Sequence, residues 1–253
     1  MAPTTEVFRD AGTHSTGDRY RMKVLQVPQS DDYPLGLKYS FQYMATDGTT
    51  LLRFDNYPHH PGVDTRHRHT RETVESIEYT DINDHIDRFY EEMTRFMTND
   101  MPDVNDSIDS DPFEMGPEDA EYPAVLRITA NPQEKARESS RERLADWQAG
   151  ETVPHVINFQ EPGMLRKLLT ARRIELLRSV MTARPESIRD LADRLDRGVK
   201  ETADDVNLLA EYEIVYFERD GRAKQPYVPY ESVKIEIEVE AVGEDETADP
   251  TPA

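Results

Sequence analysis

Four of the chain's seven histidines fall within eleven residues, His59, His60, His67 and His69, in the stretch LLRFDNYPHHPGVDTRHRHTRE (51–72). Arg53, Arg66, Arg68 and Arg71 surround them, and between Arg53 and Arg71 the only acids are Asp55 and Asp64. In a chain of formal charge −21 this is a basic island. Three chemistries fit it. One is metal-independent RNA cleavage, in which one imidazole takes the proton of a ribose 2′-OH, another protonates the leaving oxygen, and arginine balances the charge building on phosphorus. Imidazole suits that work because its unperturbed pKa lies near 6.5. The second is a metal site, with His-x-His and the adjacent His-His pair supplying ligands and Asp55 completing the set. The third is a loop whose histidines only solvate or cap.

The elements that must position these residues are legible on either side. RYRMKVLQVP (19–28), LKYSFQYMAT (37–46) and TLLRFDN (50–56) alternate as strands, with Asp47-Gly48 as a turn, and predict an antiparallel meander. TVESIEY (73–79) predicts one more strand after the histidine-rich loop. Asp81 then caps a helix whose stripe is Ile82, Ile86, Phe89, Met93 and Phe96. The unit is α+β, an antiparallel meander covered by one helix, over residues 19–97, preceded by a polar tail, 1–18, in which His14 has no assigned role.

Residues 98–122 read as an acidic linker. From Met97 through Glu121 there are nine acids, no base, and prolines at 102, 112 and 117. Two readings are open for this tether, a solvated linker first and a strap across the histidine–arginine loop second. A small β-α-β segment follows over 123–163: AVLRIT, the helix 132–150 carrying Trp147 as an anchor, and HVINF.

Residues 164–240 read as a winged helix-turn-helix. MLRKLLTARRIELLRSVM (164–181) predicts a helix, Ser187-x-x-Asp190 opens a second, Gly198 supplies a turn, and a third helix runs from about Val199 to Tyr212. EIVYFER (213–219), the turn Asp220-Gly221 and RAKQPYVPY predict a hairpin, and VKIEIEV (233–239) a last strand; 241–253 is a polar tail. From Met164 to Lys200 ten Lys/Arg face five Asp/Glu, a local excess of +5. Three helices and a basic-tipped hairpin point to a reader of double-stranded DNA. The candidate contacts are Arg189, Arg194, Arg197, Lys200, Thr202 and Asn207 on the helices and Arg219, Arg222 and Lys224 on the hairpin.

With no cysteine, disulfides and thiolate metal sites are excluded, and no apolar run reaches membrane-spanning length. A cytoplasmic protein is expected. Fifty-one acids against thirty bases, only seven of them lysine, suit a salt-rich cytoplasm, where self-repulsion is screened within about 3 Å at molar salt. The acidity is thus a statement about habitat, and DNA binding there leans on shape and dimerisation more than on net charge.

Two resemblances attach to these motifs. LLTARRIELLRSV, PESIRDLADRL and DGRAKQPYVPYESVKIEI resemble a haloarchaeal family of MarR-like winged-helix DNA-binding proteins, often antitoxins beside a toxin gene. This chain departs from that family with Asp204 and Asp205 where an arginine is usual near the start of the third helix. YSFQYMATDGTTLLRFDNYPHHPGVDTRHRH resembles the TumE family of toxin–antitoxin proteins. It implies Arg53, Asp55, Asn56, His59, His60, His67 and His69 as motif positions, and the catalytic candidates are His59, His60, His67, His69, Arg53 and Asp55. Together they imply a toxin-like domain fused to a DNA-binding, autorepressing antitoxin, with no cofactor or metal expected. An active ribonuclease that the second half mainly masks, and a one-component ligand-sensing repressor, are the alternatives. RNA as toxin substrate, the chain's own promoter and a second copy of the chain are the expected partners. A tether of about 24 residues makes the two halves mutually available at millimolar effective concentration.

Overall fold

The computed structural model describes residues 5–58, 62, 64–70, 73–98, 121–220 and 223–239. It is a mixed α/β molecule with six helices among the described residues and one large sheet. Strands β1 (Thr5–Thr13), β2 (Arg19–Gln26), β3 (Leu37–Met44), β4 (Thr50–Asp55), β5 (His67–Thr70) and β6 (Val74–Ser76) form an antiparallel meander in sequence order. The other edge of β1 takes β8 (His155–Phe159) in parallel, β8 takes β7 (Val125–Thr129), and β7 takes β11 (Ser232–Glu236), giving the order β11-β7-β8-β1-β2-β3-β4-β5-β6. The two halves of the chain therefore share a single nine-stranded sheet.

The strand at the seam is the first departure from expectation, because Thr5–Thr13 falls in the stretch read as a tail. Its polar residues hide it from a hydrophobic-pattern reading, yet two of them are buried anchors. Arg9, 2% exposed, is held on one face of the sheet by Glu6 and Glu213. Asp10, 1% exposed, accepts from Arg143 Nη2 at 2.6 Å on the other. Gly12, two residues beyond Asp10, lets the Tyr20 ring lie across the strand, since a Cβ there would meet the ring at 2.3 Å.

Helices α1 (Ile82–Thr98) and α2 (Gln133–Gln148) pack on one face. Asp81 caps α1 as expected, its Oδ1 accepting from the Asn83 and Asp84 N–H groups at 2.7 and 3.0 Å. Under these helices lies an aromatic core of Phe8, Tyr20, Phe41, Tyr43, Phe54, Phe89 and Tyr90, with Leu144 of α2 in it and Trp147 packed against it. A second core joins Leu126, Ile128, Ile157 and Phe159 of the sheet to α3 (Pro162–Leu168), α4 (Ala171–Thr182), α5 (Ile188–Arg194) and α6 (Val199–Glu211). A separate hairpin follows α6, β9 (Tyr216–Asp220) against β10 (Ala223–Tyr227).

The helical stretch 164–181 is two helices, because Thr170 caps a new one by accepting from the Arg173 N–H. Ser187 caps α5 as its spacing predicts, accepting from the Asp190 N–H at 3.1 Å. The left-handed residue between α5 and α6 is Asp196 (φ 51°), whereas Gly198 (φ −65°) is the N-cap of α6. Aspartate tolerates that region better than most residues. The last strand does not join the hairpin. It lies parallel to β7, so Val233 sits over Leu126 while Ile235, at the sheet edge, stays 44% exposed. Both β7 and β8 are paired on two sides.

Among the described residues no helix is long and apolar enough to cross a membrane. Two buried neutral histidines give the fold a pH signature. His85 is packed among Tyr39, Phe54 and Tyr79, His155 lies against Tyr122 and Tyr230, and burial holds each at about 3. The unfolded chain takes up their protons near pH 6.5, so the stability these two contribute is whole above that pH and falls as pH drops towards 3, by about 1.4 kcal/mol per pH unit for each. Denaturant midpoints followed from pH 7 to 4.5 are expected to drop accordingly, and His85→Phe to flatten the slope by about half. A midpoint independent of pH over that range is the contrary result.

Candidate active site

The histidine-rich segment is not all loop. His67, Arg68, His69 and Thr70 form β5, paired with β4 so that Asp55 stands opposite His67 and Arg53 opposite His69. In a strand alternate side chains share a face. Arg-x-Asp on β4 and His-x-His on β5 therefore meet as a two-by-two grid. Arg68, between the two histidines, points to the other face and binds Glu92 of α1. Asn56 serves the frame: its Oδ1 accepts from the Tyr39 N–H at 2.9 Å and its Nδ2 donates to the Leu37 carbonyl at 2.8 Å, clipping β4 to the start of β3.

The Asp55 carboxylate, 0% exposed, is the hub. Its Oδ2 accepts from Arg53 Nε at 2.7 Å and lies 3.2 Å from His69 Nε2, while its Oδ1 lies 2.9 Å from His67 Nε2. Oδ1 also accepts from the Tyr57 N–H at 3.0 Å. The Arg53 Nη2 approaches the His69 ring within 3.3 Å, and His67 Nδ1 is 3.0 Å from the Asp64 carbonyl oxygen. Burial opposes the charge on Asp55, but hydrogen bonds from both imidazoles and the Arg53 charge overcome it and hold the carboxyl well below its usual range.

The same surroundings drive the two histidines apart. Burial disfavours the charged form of each. For His67 the Asp55 hydrogen bond and charge outweigh burial and raise its pKa, whereas for His69 burial and the neighbouring Arg53 prevail and lower it. The two rings lie 4.7 Å apart, His67 held towards its charged form and His69 towards its neutral one. Asp55, His67 and His69 also bring one ligand atom each within 4.8 Å of one another, and these three could hold a divalent ion. Arg53 on the Asp55 Oδ2 competes with a cation there, which favours the acid–base use of the cluster.

The grid belongs to a wider polar face. Arg9, Lys23, Ser40, Asp55 and His67 stand in register across β1 to β5, and beside them run Ala11, Arg21, Gln42, Arg53 and His69. Residues 4–97, the segment holding this face, match the family model described as the toxin TumE. The chain carries a TumE toxin domain. Residues 168–235 match a second family model, described as HVO_A0114. No curated protein and no solved structure matches the chain.

Of the TumE motif residues, Arg53, Asp55, His67 and His69 come together, while His59 and His60 lie outside the described residues. The strand β2 of the TumE domain carried a visible signal that sequence reading passed over. Arg19, Arg21 and Lys23 alternate with Tyr20, Met22 and Val24, placing cations on the face opposite the apolar core. Arg9 gave no such signal, because its strand was not recognised.

Of the helix and hairpin candidates, Arg189, Lys200, Asn207 and Lys224 are exposed. Arg194 is exposed but bound to Asp190, and Arg197 is tied to Glu175 and the Arg172 carbonyl. Thr202 is not available to a base: it is fully buried and its hydroxyl donates to the Gly198 carbonyl, as a threonine one turn into a helix readily does. Arg222 and the Arg219 side chain lie outside the described residues, as does most of the acidic segment 98–122. Asp205, which stands where the resembled family carries an arginine, binds Arg173 of α4 at 2.7 Å and so has a structural task.

Proposed function

We propose that this chain is a TumE toxin and its neutralising partner in one polypeptide, with the carboxy-terminal unit serving also as a DNA-binding autorepressor. One observation carries the neutralised state. Strand β8 continues the toxin sheet at β1 while Glu213, just beyond α6, binds Arg9 and Arg21 on the toxin's polar face at 2.8 and 2.6 Å. Strand addition of this kind gives a strong, extended interface through main-chain bonds. Asp55, His67 and His69 are at most 3% exposed, so a phosphodiester reaches them only after the site rearranges.

Once uncovered, the grid is suited to RNA cleavage by internal transfer. Neutral His69 takes the 2′-OH proton, protonated His67 gives the leaving oxygen the Nδ1 proton it otherwise shares with the Asp64 carbonyl, Arg53 stabilises the charged phosphorus centre, and Asp55 orients all three.

The DNA-binding part of the reading rests on element order. Helices α4, α5 and α6 followed by the β9–β10 hairpin have the succession of a winged helix-turn-helix, and Arg189, Lys200, Asn207 and Lys224 are open to solvent. Glu201, Asp204 and Glu211 share the exposed side of α6, so contacts there are few and the hairpin must carry much of the grip. Operator binding by a dimer on the chain's own promoter, in a salt-rich cytoplasm, is the setting we propose. A gel shift at high potassium tests it. Lys224→Ala is expected to weaken binding alike on all sequences, and Asn207→Ala to relax discrimination at one base position by about 1–3 kcal/mol. Absence of any shift on the upstream promoter would leave the unit as a neutraliser alone.

A further inference from the structure

The polar face of the TumE sheet holds more cations than an acid–base pair uses. Arg9, Arg21 and Lys23 stand on β1 and β2, in register with the catalytic grid on β4 and β5 and joined to it through Ser40 and Gln42 of β3. With Arg53 these are four basic side chains on one face of a chain whose net charge is −21. Across five strands the rows span about 19 Å, several phosphodiesters long, and they end at His67 and His69.

We infer that these two rows form a binding track for the sugar–phosphate backbone of single-stranded RNA, and that Glu213 occupies its β1–β2 end in the fused chain. The inference rests on the reading of the TumE domain as acting on RNA. Glu213 engages the track as a phosphate would, one carboxylate oxygen on Arg9 Nη1 and the other on Arg21 Nη1. Its backbone is a second argument. Glu213 sits just past α6 with φ 56°, its N–H bound to the Ala210 carbonyl and the Ile214 N–H to that of Leu209. That is the helix-ending position where glycine is the usual residue. A glutamate stands there against backbone preference, and its carboxylate neutralises two toxin arginines. The remaining anion near Arg9, Glu6, lies on β1 itself and stays with the toxin.

The backbone also supplies the test. In the full-length chain Glu213→Gly deletes the carboxylate while installing the residue that suits this φ, which offsets part of the cost of leaving Arg9 and Arg21 without that partner. Glu213→Gln, which keeps the volume, gives a second reading of the same charge. Both are made with His69→Ala to prevent cleavage, and anisotropy of a fluorescein-labelled single-stranded RNA is measured at fixed potassium. Either variant is expected to bind at least about tenfold more tightly than its Glu213 parent, with Arg21→Ala reversing the gain. Unchanged RNA binding in a chain with the parental circular dichroism spectrum overturns the track, as does an equal gain for duplex DNA of the same length. The two readings fail separately. RNA cleavage by the uncovered toxin together with no gain in the Glu213 variants discards the track alone, and a gain without cleavage discards only the nuclease.

Discussion

Expression of residues 1–98 without the rest of the chain is expected to arrest growth, whereas the full chain is tolerated and residues 121–253 supplied in trans restore colonies. Removing the carboxy-terminal unit strips β8 from β1 and takes Glu213 away from Arg9 and Arg21. It opens a sheet edge and a cationic face together. The outcome is governed by the histidines if the chemistry is as proposed. His69→Ala removes the base and His67→Ala the acid, each lowering RNA cleavage by about 10²–10⁴-fold and abolishing the arrest. Because an open β1 edge invites aggregation, the soluble fraction is measured alongside growth. A soluble, folded fragment that leaves growth untouched would sink the masked-toxin reading, and an arrest indifferent to both histidines would move the chemistry elsewhere. Addition of a chelator separates the remaining possibility. A toxin that loses activity with EDTA and regains it with one divalent metal uses Asp55, His67 and His69 as ligands instead.

The second large effect is on stability. Asp55→Asn keeps shape but removes an anion shared by Arg53 and two imidazoles in a buried site. Leaving buried cations without a counter-charge costs about 3–5 kcal/mol, or roughly 10 °C in Tm for a chain of this size. Removing Arg53 as well, as Arg53→Met in the Asp55→Asn chain, is expected to recover part of the loss. The sign of the pH dependence follows from the two shifts. Asp55 is lowered, so its contribution is present above about pH 4 and lost as pH falls through its folded value; His67 is raised, so its contribution is whole below about pH 6.5 and lost as pH rises through its folded value. Wild-type stability should therefore decline on the alkaline side, and in Asp55→Asn that decline should vanish. The acid-side loss due to His85 and His155 should persist. An alkaline limb unchanged by the substitution would mean that Asp55 does not hold the His67 proton.

The individual strands β2, β3 and β4, helix α1 with its Asp81 cap, and the strands and helix of the β-α-β segment were legible because each carries a local signal: period-two or helical spacing, a capping residue, a turn dipeptide. The chemical character of residues 53–69 was equally plain, since an Arg-x-Asp and a His-x-His in a basic island narrow the chemistry whatever the fold. What that stretch could not reveal is that His-x-His is a strand. Four residues rich in histidine and arginine carry no hydrophobic alternation, and only pairing with β4 and β6 makes them one. Thr5–Thr13 was missed for the related reason that its polar residues are satisfied by partners more than 130 positions away, Arg143 and Glu213.

Residue types and their spacing thus determined which groups are available for proton transfer and which segments form regular structure, because both depend on neighbours in the chain. Only the tertiary structure decided that the two halves share one sheet, that β11 leaves the hairpin for β7, and that Glu213 meets Arg9 and Arg21. Those are cross-strand and cross-domain pairings. Their energy comes from burial and from matching charges distant in sequence, which no local pattern encodes.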